Sequence, residues 1–286
     1  MDITPDLAER AQAGSVLTPA DLDILATSDV LSLGLLADDR RRATVGDTVT
    51  YVRVHEVSPS LEPAPDAAGE VRLTVLRETL DATVEAVQTA RHLAGSRLLT
   101  GFSLAELVNR AGAWGGLRVA LERLKAAGLD AVAEAPVDRL TDAASVLQSC
   151  EDAGVPVRCL SVADPVASRS ALIVRVRTLV QRFPALQTFA PLPRTQSATT
   201  PTTGYDDVRA VALARLGIPT LRRIQVDWVQ YGPKLAQVAL TFGANDLDRV
   251  SAVDDDSLGR RRTAVEDVKR NITAAGFAPV ERDQAP

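Results

Sequence analysis

The chain has 286 residues, of which 46% are hydrophobic and 3% aromatic, with a formal net charge of -5. This length suits one large domain or two small ones, and the core must be built from Ala, Val and Leu. The mild acidity predicts no nucleic-acid surface, and no apolar run reaches the roughly 18 residues of a membrane span. Two cysteines and a polar, acidic N-terminus predict a reducing cytosolic location without a signal peptide.

The first 48 residues are predicted to be a helical segment that packs on the domain that follows. Helices are predicted over residues 5–14 and 19–38. Thr18-Pro19 is typical of a helix start, with Thr18 as N-cap and Pro19 at the first helical position. The alternation of β-branched and polar residues in VTYVRVHEV, which begins at Val49, predicts the first strand.

From residue 49 onward, strands and helices alternate, with loops rich in Pro or Thr predicted at 58–69 and 194–204. The predicted strands are 49–57, 71–76, 97–102, 131–137, 156–163, 186–192, 222–228 and 246–253. The predicted helices are 78–94, a helix that carries Leu117, Leu121 and Leu124 on one face and ends at Gly128, 143–153, 168–183, 205–216, 234–242 and 258–275.

Strict alternation of strand and helix implies right-handed parallel crossovers. About eight strands is the number that closes a β/α barrel. We therefore predict a (β/α)8 TIM-type barrel over residues 49–286, complete or slightly degenerate, with N-terminal helices and a C-terminal helix. A doubly wound open sheet is the alternative, although no G-x-G-x-x-G follows any predicted strand.

Four stretches of sequence carry a resemblance to a known family. They are LADDRRRATVGDTVTYV at 36–52, LLTGFSLAELVNRAG at 98–112 with LERLKAAGLD at 121–130, the stretch 205–247 that contains RIQVDWVQYGPKLAQVALTFGANDL, and ITAAGFAPVERD at 272–283. They resemble the radical SAM enzymes of the futalosine route to menaquinone, namely aminofutalosine synthase and dehypoxanthine futalosine cyclase, and the related deazaflavin (FO) synthase subunits. The resemblance implies a barrel that holds a [4Fe–4S] cluster and S-adenosylmethionine.

The sequence departs from this family at the cluster motif. In the family, the loop after the first strand carries Cys-x3-Cys-x2-Cys, whose thiolates bind the cluster. Here the loop reads SPSLEPAPDAAGEV, and the cysteines of the chain are Cys150 and Cys159. Because such clusters need soft thiolate ligands, neither the cluster nor S-adenosylmethionine is expected to bind. The loop's shortness also predicts that the first crossover helix is missing.

Candidate pocket residues occupy the predicted C-terminal ends of strands, where barrel enzymes place their sites. Gln225 and Asp227 are two apart and share a face, whereas His55 and Glu56 are adjacent and point to opposite faces. The alternative is that these side chains fill the barrel top or the loop edge without a ligand. No metal site is predicted, and Asp254–Asp256 is predicted to be a solvated loop. The candidates are His55, Glu56, Glu134, Gln225 and Asp227, with Trp228 and Tyr231 as an aromatic wall.

Three functions are compatible with a family barrel that lacks the cluster motif. The preferred one is a non-catalytic accessory subunit in menaquinone biosynthesis by the futalosine route, in a hetero-oligomer with an intact radical SAM homologue. A second is an enzyme with non-radical chemistry on a related nucleoside or polyketide-like acid, with catalytic residues unknown. A third is a module that binds a futalosine-type small molecule.

Overall fold

Eight parallel strands close into a barrel, because β1 pairs with β2 on one edge and with β8 on the other. The computed structural model describes residues 3–57, 63–195, 202–253 and 265–282. Closure confirms the predicted barrel and excludes the open sheet. The strands are β1 Thr48–Val57, β2 Glu70–Leu73, β3 Leu98–Ser103, β4 Ala131–Pro136, β5 Leu160–Val162, β6 Thr188–Pro193, β7 Arg223–Asp227, β8 Asp246–Ser251 and β9 Ala278–Glu281.

Most of the helices begin at a residue whose side chain caps the first turn. Thr18 and Thr203 each form a capping box with an Asp three residues later. The helices are α1 Pro5–Ala13, α2 Pro19–Thr27, α3 Val30–Val45, α4 Leu80–Ala94, α5 Leu104–Ala111, α6 Leu117–Ala126, α7 Ala143–Ala153, α8 Arg169–Arg182, α9 Gly204–Gly217, α10 Trp228–Leu240 and α11 Val265–Ala274.

The predicted single helix over 19–38 is wrong, because two helices, α2 and α3, occupy this region. The chain is extended at Ser28, and the Asp29 carboxylate accepts a hydrogen bond from the Ser32 N–H. A cap of this kind starts a new helix. The predicted helix 258–275 is α11 over 265–274, and the remainder of that prediction, like Asp254–Asp256, lies outside the described residues.

A ninth strand, β9, was not predicted from the sequence. It runs parallel to the first half of β1, with Thr48 opposite Ala278 and Tyr51 opposite Glu281. The second half of the same β1 edge pairs with β2, from Val54 opposite Glu70 onward. The C-terminal end of the chain therefore fills the part of β1 that the short strand β2 leaves free.

The connection from β1 to β2 is unusually short for parallel neighbours. Residues 58–69 join them, and the described part of this connection, 63–69, contains no helix. Each of the later connections between neighbouring barrel strands carries at least one helix. Parallel pairs normally need a helical crossover, and residues 63–69 of this connection provide none.

The barrel is aliphatic outside and polar inside. Aliphatic side chains from the strands and helices form one continuous core around it. Inside, the Arg72 guanidinium forms a two-bond ion pair with Asp248, at 2.9 and 3.0 Å, that reaches from β2 past β1 to β8. Glu70 accepts hydrogen bonds from Arg72 and, at 2.6 Å, from the Thr100 hydroxyl. Buried charges of this kind are stable only when they are paired.

Asn245 connects the stretch RIQVDWVQYGPKLAQVALTFGANDL, in which it lies, to the rest of the barrel. Its Oδ1 accepts hydrogen bonds from Arg215 Nη2 at 2.6 Å and from the Ile224 N–H at 2.9 Å, and its Nδ2 donates to the Arg222 carbonyl. Burial lowers the pKa of Arg215 to about 9. These bonds tie α9, the start of β7 and the start of β8 together.

We predict that Asn245→Ala destabilises the protein by about 2–4 kcal/mol, because the buried Arg215 guanidinium and the Ile224 N–H lose their acceptor. Urea denaturation measures this change. Asn109→Ala, on the exposed side of α5, is the matched control and is expected to change stability by less than about 0.5 kcal/mol. Equal stability of the two variants would contradict the assigned role of Asn245.

Candidate ligand site at the barrel mouth

A cavity of about 270 Å³ opens at the C-terminal ends of the strands. Its volume lies near the lower end of the range for small-molecule sites. Side chains from β1, β4, β7 and β8 and from the segment after β6 line it. The charged side chains at its upper rim are Glu56, Glu106, Glu134, Asp227, Arg194 and Arg249.

Five of these side chains form one continuous ionic chain across the mouth. Arg194 Nε lies 2.9 Å from Glu134 Oε2, and Arg194 Nη1 lies 3.1 Å from Asp227 Oδ2. Arg249 Nη1 contacts the same Asp227 oxygen at 3.1 Å, and its other nitrogens contact Glu56 at 2.6 and 3.0 Å. Three carboxylates are thus joined by two guanidinium groups that are anchored on different elements. These five side chains, the mouth chain, are held in fixed positions by charge-assisted hydrogen bonds.

Asp227 is at the centre of the mouth chain, and its two carboxylate oxygens have different partners. Oδ1 caps α10 by accepting a hydrogen bond from the Gln230 N–H at 2.8 Å, which leaves Oδ2 for the two arginines. The residue is 1% exposed. The first turn of α10 then ends at Gly232, whose φ of 71° breaks the helix ahead of Pro233.

The two arginines stay charged despite their burial. Burial by itself lowers the pKa of Arg194, but Glu134 and Asp227 outweigh it and raise the pKa well above its usual value. Burial likewise opposes charge on Arg249, and the hydrogen bond to Glu56 and the charge of Asp227 raise its pKa. The mouth therefore keeps fixed positive charges at every physiological pH.

A β-bulge aims Arg249 into the mouth. Tyr51 pairs with Leu247 and Arg53 with Val250, so Asp248 and Arg249 together oppose one residue of β1. Arg249 has a φ of 57° and Phe102, on the same cavity wall, a φ of 66°. Among the described residues, these are the non-glycine residues with positive φ. Such strained conformations concentrate at functional sites.

The floor of the mouth is the Arg72–Asp248 pair, which lines the cavity from below. Burial tends to raise the pKa of Asp248, but the charge and hydrogen bonds of Arg72 outweigh it and hold the pKa well below its usual range. Asp248 is 3% exposed. Its carboxylate is therefore ionised and paired in the folded protein.

The structure brings together three of the residues predicted from the sequence, Glu56, Glu134 and Asp227. Gln225 shares the inward face of β7 with Asp227, but it lies deeper, where its Nε2 donates to Asp246 at 2.7 Å. His55 is on the opposite face of β1 from Glu56 and does not line the mouth. Sequence reasoning missed Arg194 and Arg249; their positions at strand ends were the available signal.

The two aromatic residues predicted as a wall, Trp228 and Tyr231, do not line this cavity. Trp228 is fully buried as the first residue of α10 and packs into the core. The Tyr231 hydroxyl donates a hydrogen bond to the Pro193 carbonyl at 2.6 Å, and burial raises the pKa of this phenol. Neither ring lines the mouth cavity, because α10 turns both away from it.

The cysteines do not fit an iron–sulfur cluster. Cys150 lies on α7 and Cys159 directly before β5, and both are buried. Burial raises the pKa of each thiol to about 12, which opposes the thiolate form that metal ligation requires. In the described ranges, no group of three or more His, Cys, Asp or Glu side chains is arranged to hold a metal ion.

None of the helices described is long and apolar enough to cross a membrane.

Comparisons with known proteins agree with this architecture. Residues 183–285 match the family described as the CofH/MqnC C-terminal region. A 5-amino-6-(D-ribitylamino)uracil–L-tyrosine 4-hydroxyphenyl transferase of Methanosarcina barkeri is 26% identical over 98% of this chain and 91% of its own length. The aminodeoxyfutalosine synthase of Streptomyces coelicolor is 30% identical over 39% of this chain and 34% of its own length.

This chain is similar in sequence to proteins of the CofH and MqnC type, most clearly over residues 183–285.

Solved structures show the same fold as this chain. Methylornithine synthase superposes with a TM-score of 0.69 at 15% identity and covers 96% of this chain and 97% of its own. The maturase HydG reaches a TM-score of 0.66 at 11% identity over 97% of this chain and 75% of its own.

The alignment with the Methanosarcina barkeri enzyme has 351 positions against 286 residues here, so at least 65 positions have no counterpart in this chain.

We predict that Asp248→Asn makes the free energy of unfolding fall less steeply as the pH is lowered. The pKa of Asp248 is lower in the folded protein than in the unfolded chain. The ionised carboxylate therefore contributes its full stabilisation above about pH 4, and this stabilisation is lost as the pH falls further. The expected loss in the parent protein is on the order of 1 kcal/mol per pH unit below that point. Urea denaturation at pH 6 and pH 3 measures it.

Asp23→Asn, on the exposed side of α2, is the matched control. It should keep the acid dependence of the parent protein. The assignment fails if Asp248→Asn and Asp23→Asn lose equal stability between the two pH values.

Proposed function

We propose that this CofH/MqnC relative is a non-catalytic accessory subunit that acts beside an intact radical SAM homologue in biosynthesis of the menaquinone or FO type. The observation that carries this proposal is a closed barrel with an ordered mouth but without a thiolate set for the cluster. The loop after β1 contains no cysteine, and the cysteines elsewhere are buried on α7 and before β5. The barrel is retained, whereas the loop cysteines that would bind the cluster are missing from the sequence.

A partner surface is proposed on the N-terminal helical segment, residues 1–48. Leu31 and Leu35 are one turn apart on α3 and are 68% and 70% exposed. The opposite side of α3 packs on α9, with Gly34 against the ring of Phe242, which follows α10. Exposed leucines at i and i+4 form an apolar strip that suits a helix of another subunit. An intact homologue is the occupant that the pathway context favours.

We predict that the purified protein forms a stable complex with the cysteine-bearing homologue of the same genome, and that Leu31→Glu with Leu35→Glu weakens it at least tenfold. Size-exclusion chromatography with light scattering and titration calorimetry measure this. Val119→Glu, an exposed apolar position on α6, is the control and leaves binding unchanged. After anaerobic reconstitution with iron and sulfide, the protein alone stays colourless.

Two results would contradict this proposal. One is a brown protein with the visible absorbance of an iron–sulfur cluster after reconstitution. The other is the lack of any complex between the purified proteins at micromolar concentrations.

A second candidate function, ligand binding at the mouth, is favoured by the mouth chain and by its two strained residues, Phe102 and Arg249. The names of the relatives mention L-tyrosine and a ribitylaminouracil. An amino acid offers a carboxylate to Arg194 or Arg249 and an ammonium group to Glu56 or Glu134. The charges of the mouth therefore match a small zwitterion of this class.

We predict that L-tyrosine raises the melting temperature of the protein, because a ligand that binds only the folded state stabilises it by mass action. At about 100 times the dissociation constant the gain is about 2.7 kcal/mol. Glu134→Gln should reduce the shift, whereas Glu122→Gln, on the exposed face of α6, should keep it. The same shift in both variants would remove the mouth as the site.

A further inference from the structure

Two further spaces lie near the N-terminal end of the barrel, and they differ in the chemistry of their walls. The first is a cavity of about 530 Å³, whose wall includes the starts of β6 and β7 through Thr188 and Arg223. The Arg72–Asp248 pair lines both this lower cavity and the mouth and forms the partition between them. The charged and hydroxyl groups of its wall make the lower cavity a polar space, in which water finds hydrogen-bond partners.

The second space is an apolar pocket of about 250 Å³, between the ends of α7 and α8 and the segment before β5. Gly154, Pro156 and Ala185 are exposed at its rim. The residues of its base are each at most 7% exposed, and they are Leu147, Cys150, Val155, Val157, Phe183 and Leu186. The apolar pocket therefore has a base of core residues and an entrance between short side chains.

The side chains at the base of the apolar pocket offer water no strong hydrogen-bond partner. They are aliphatic or aromatic apart from the Cys150 thiol, and a thiol is only a weak donor and a weak acceptor. Burial raises the pKa of this thiol to about 12, as expected in surroundings of low polarity. A buried water molecule needs about two to four polar partners. Water at the base is therefore poorly held, and its displacement by an apolar group is favourable.

The volume of the apolar pocket matches one substituted ring. An apolar cavity of about 150 Å³ is already large enough to bind benzene. The apolar pocket is larger, at about 250 Å³, so a ring with a short alkyl substituent fits it. The Phe183 ring forms part of the wall, and aromatic rings pack favourably on one another in offset or edge-to-face arrangements.

The charge at the rim disfavours an ionised ligand. Among the described residues, Glu151 is the charged residue on the wall of the apolar pocket, and it is exposed. Its carboxylate repels an anion. A cation that moves from the rim to the base loses its hydration without gaining a partner. An uncharged ligand avoids both effects.

We propose that the apolar pocket binds a small uncharged hydrophobic molecule, of about the size of one alkyl-substituted aromatic ring. The ring lies at the base against Leu147 and Phe183, and it enters between Gly154 and Ala185. The apolar pocket shares no wall residue with the mouth, and nothing in the proposed function uses it.

Titration calorimetry with three one-ring probes tests the chemical class of the ligand. Toluene is uncharged, benzoate is an anion and benzylammonium is a cation of similar size. Toluene is expected to bind at least tenfold more tightly than either of the others, because a charged group loses its hydration at the apolar base.

Two variants locate the site. Ala185→Trp places a large ring at the entrance from an exposed position and should weaken toluene binding at least tenfold. Ala274→Trp, on the exposed side of α11, is the matched control and should leave binding unchanged. Val155→Thr keeps the shape of a base residue but adds a hydroxyl group, and it should weaken binding about threefold or more because water gains a partner there.

The proposal is overturned if toluene does not bind, if benzoate or benzylammonium binds as tightly, or if Ala185→Trp and Ala274→Trp bind toluene equally. Circular dichroism checks the fold of each variant, and Ala185→Trp decides the result if Val155→Thr does not fold. Because none of these variants lies on α3 or in the mouth chain, failure here leaves the proposed function intact. The reverse also holds.

Discussion

The Arg72–Asp248 ion pair is the constraint on which the interior of this barrel depends. It connects β2 and β8 across β1, at the place where the described part of the connection between β1 and β2, residues 63–69, carries no helix. Burial of two charges is expensive unless both are paired and hydrogen-bonded. Glu70 and Thr100 complete the set. Because a register slip of one residue would move Asp248 or Arg72 to the opposite face, the pair also fixes the alignment of these strands.

Buried carboxylates that pair with donors from several strands organise both ends of the barrel. At the lower end, Asp246 accepts hydrogen bonds from Thr50, Gln225 and Arg282, which joins β1, β7 and the residue after β9. At the upper end, Asp227 joins the segment after β6 to the bulge of β8 through two arginines. A barrel filled with aliphatic side chains would be a solid core. Charged pairs instead leave two polar spaces, one above and one below the partition.

The sequence predicted the barrel because hydrophobic periodicity and strand–helix alternation are local properties. It also placed Glu56, Glu134 and Asp227 at strand ends, where the barrel brings them into one mouth. It missed Arg194 and Arg249 because an arginine at a strand end is usually solvated, and its partners here come from elements up to 193 residues away. Trp228 and Tyr231 were misplaced because α10 begins at Trp228 and turns both rings away from the cavity. The strand β9 was missed because its partner, β1, lies at the other end of the chain.

The stretch RIQVDWVQYGPKLAQVALTFGANDL gave the clearest family resemblance, and its polar residues hold the frame as much as the site. Asn245 and Asp246 join strands and helices at the lower end, whereas Asp227 serves the mouth. The sequence by itself determined the fold class and the lack of a Cys-x3-Cys-x2-Cys motif in these residues, because both follow from residue type and spacing. Only the tertiary structure decided which carboxylates meet which arginines, and hence where the two cavities lie, because those pairs form between residues that the chain brings together only on closing the barrel.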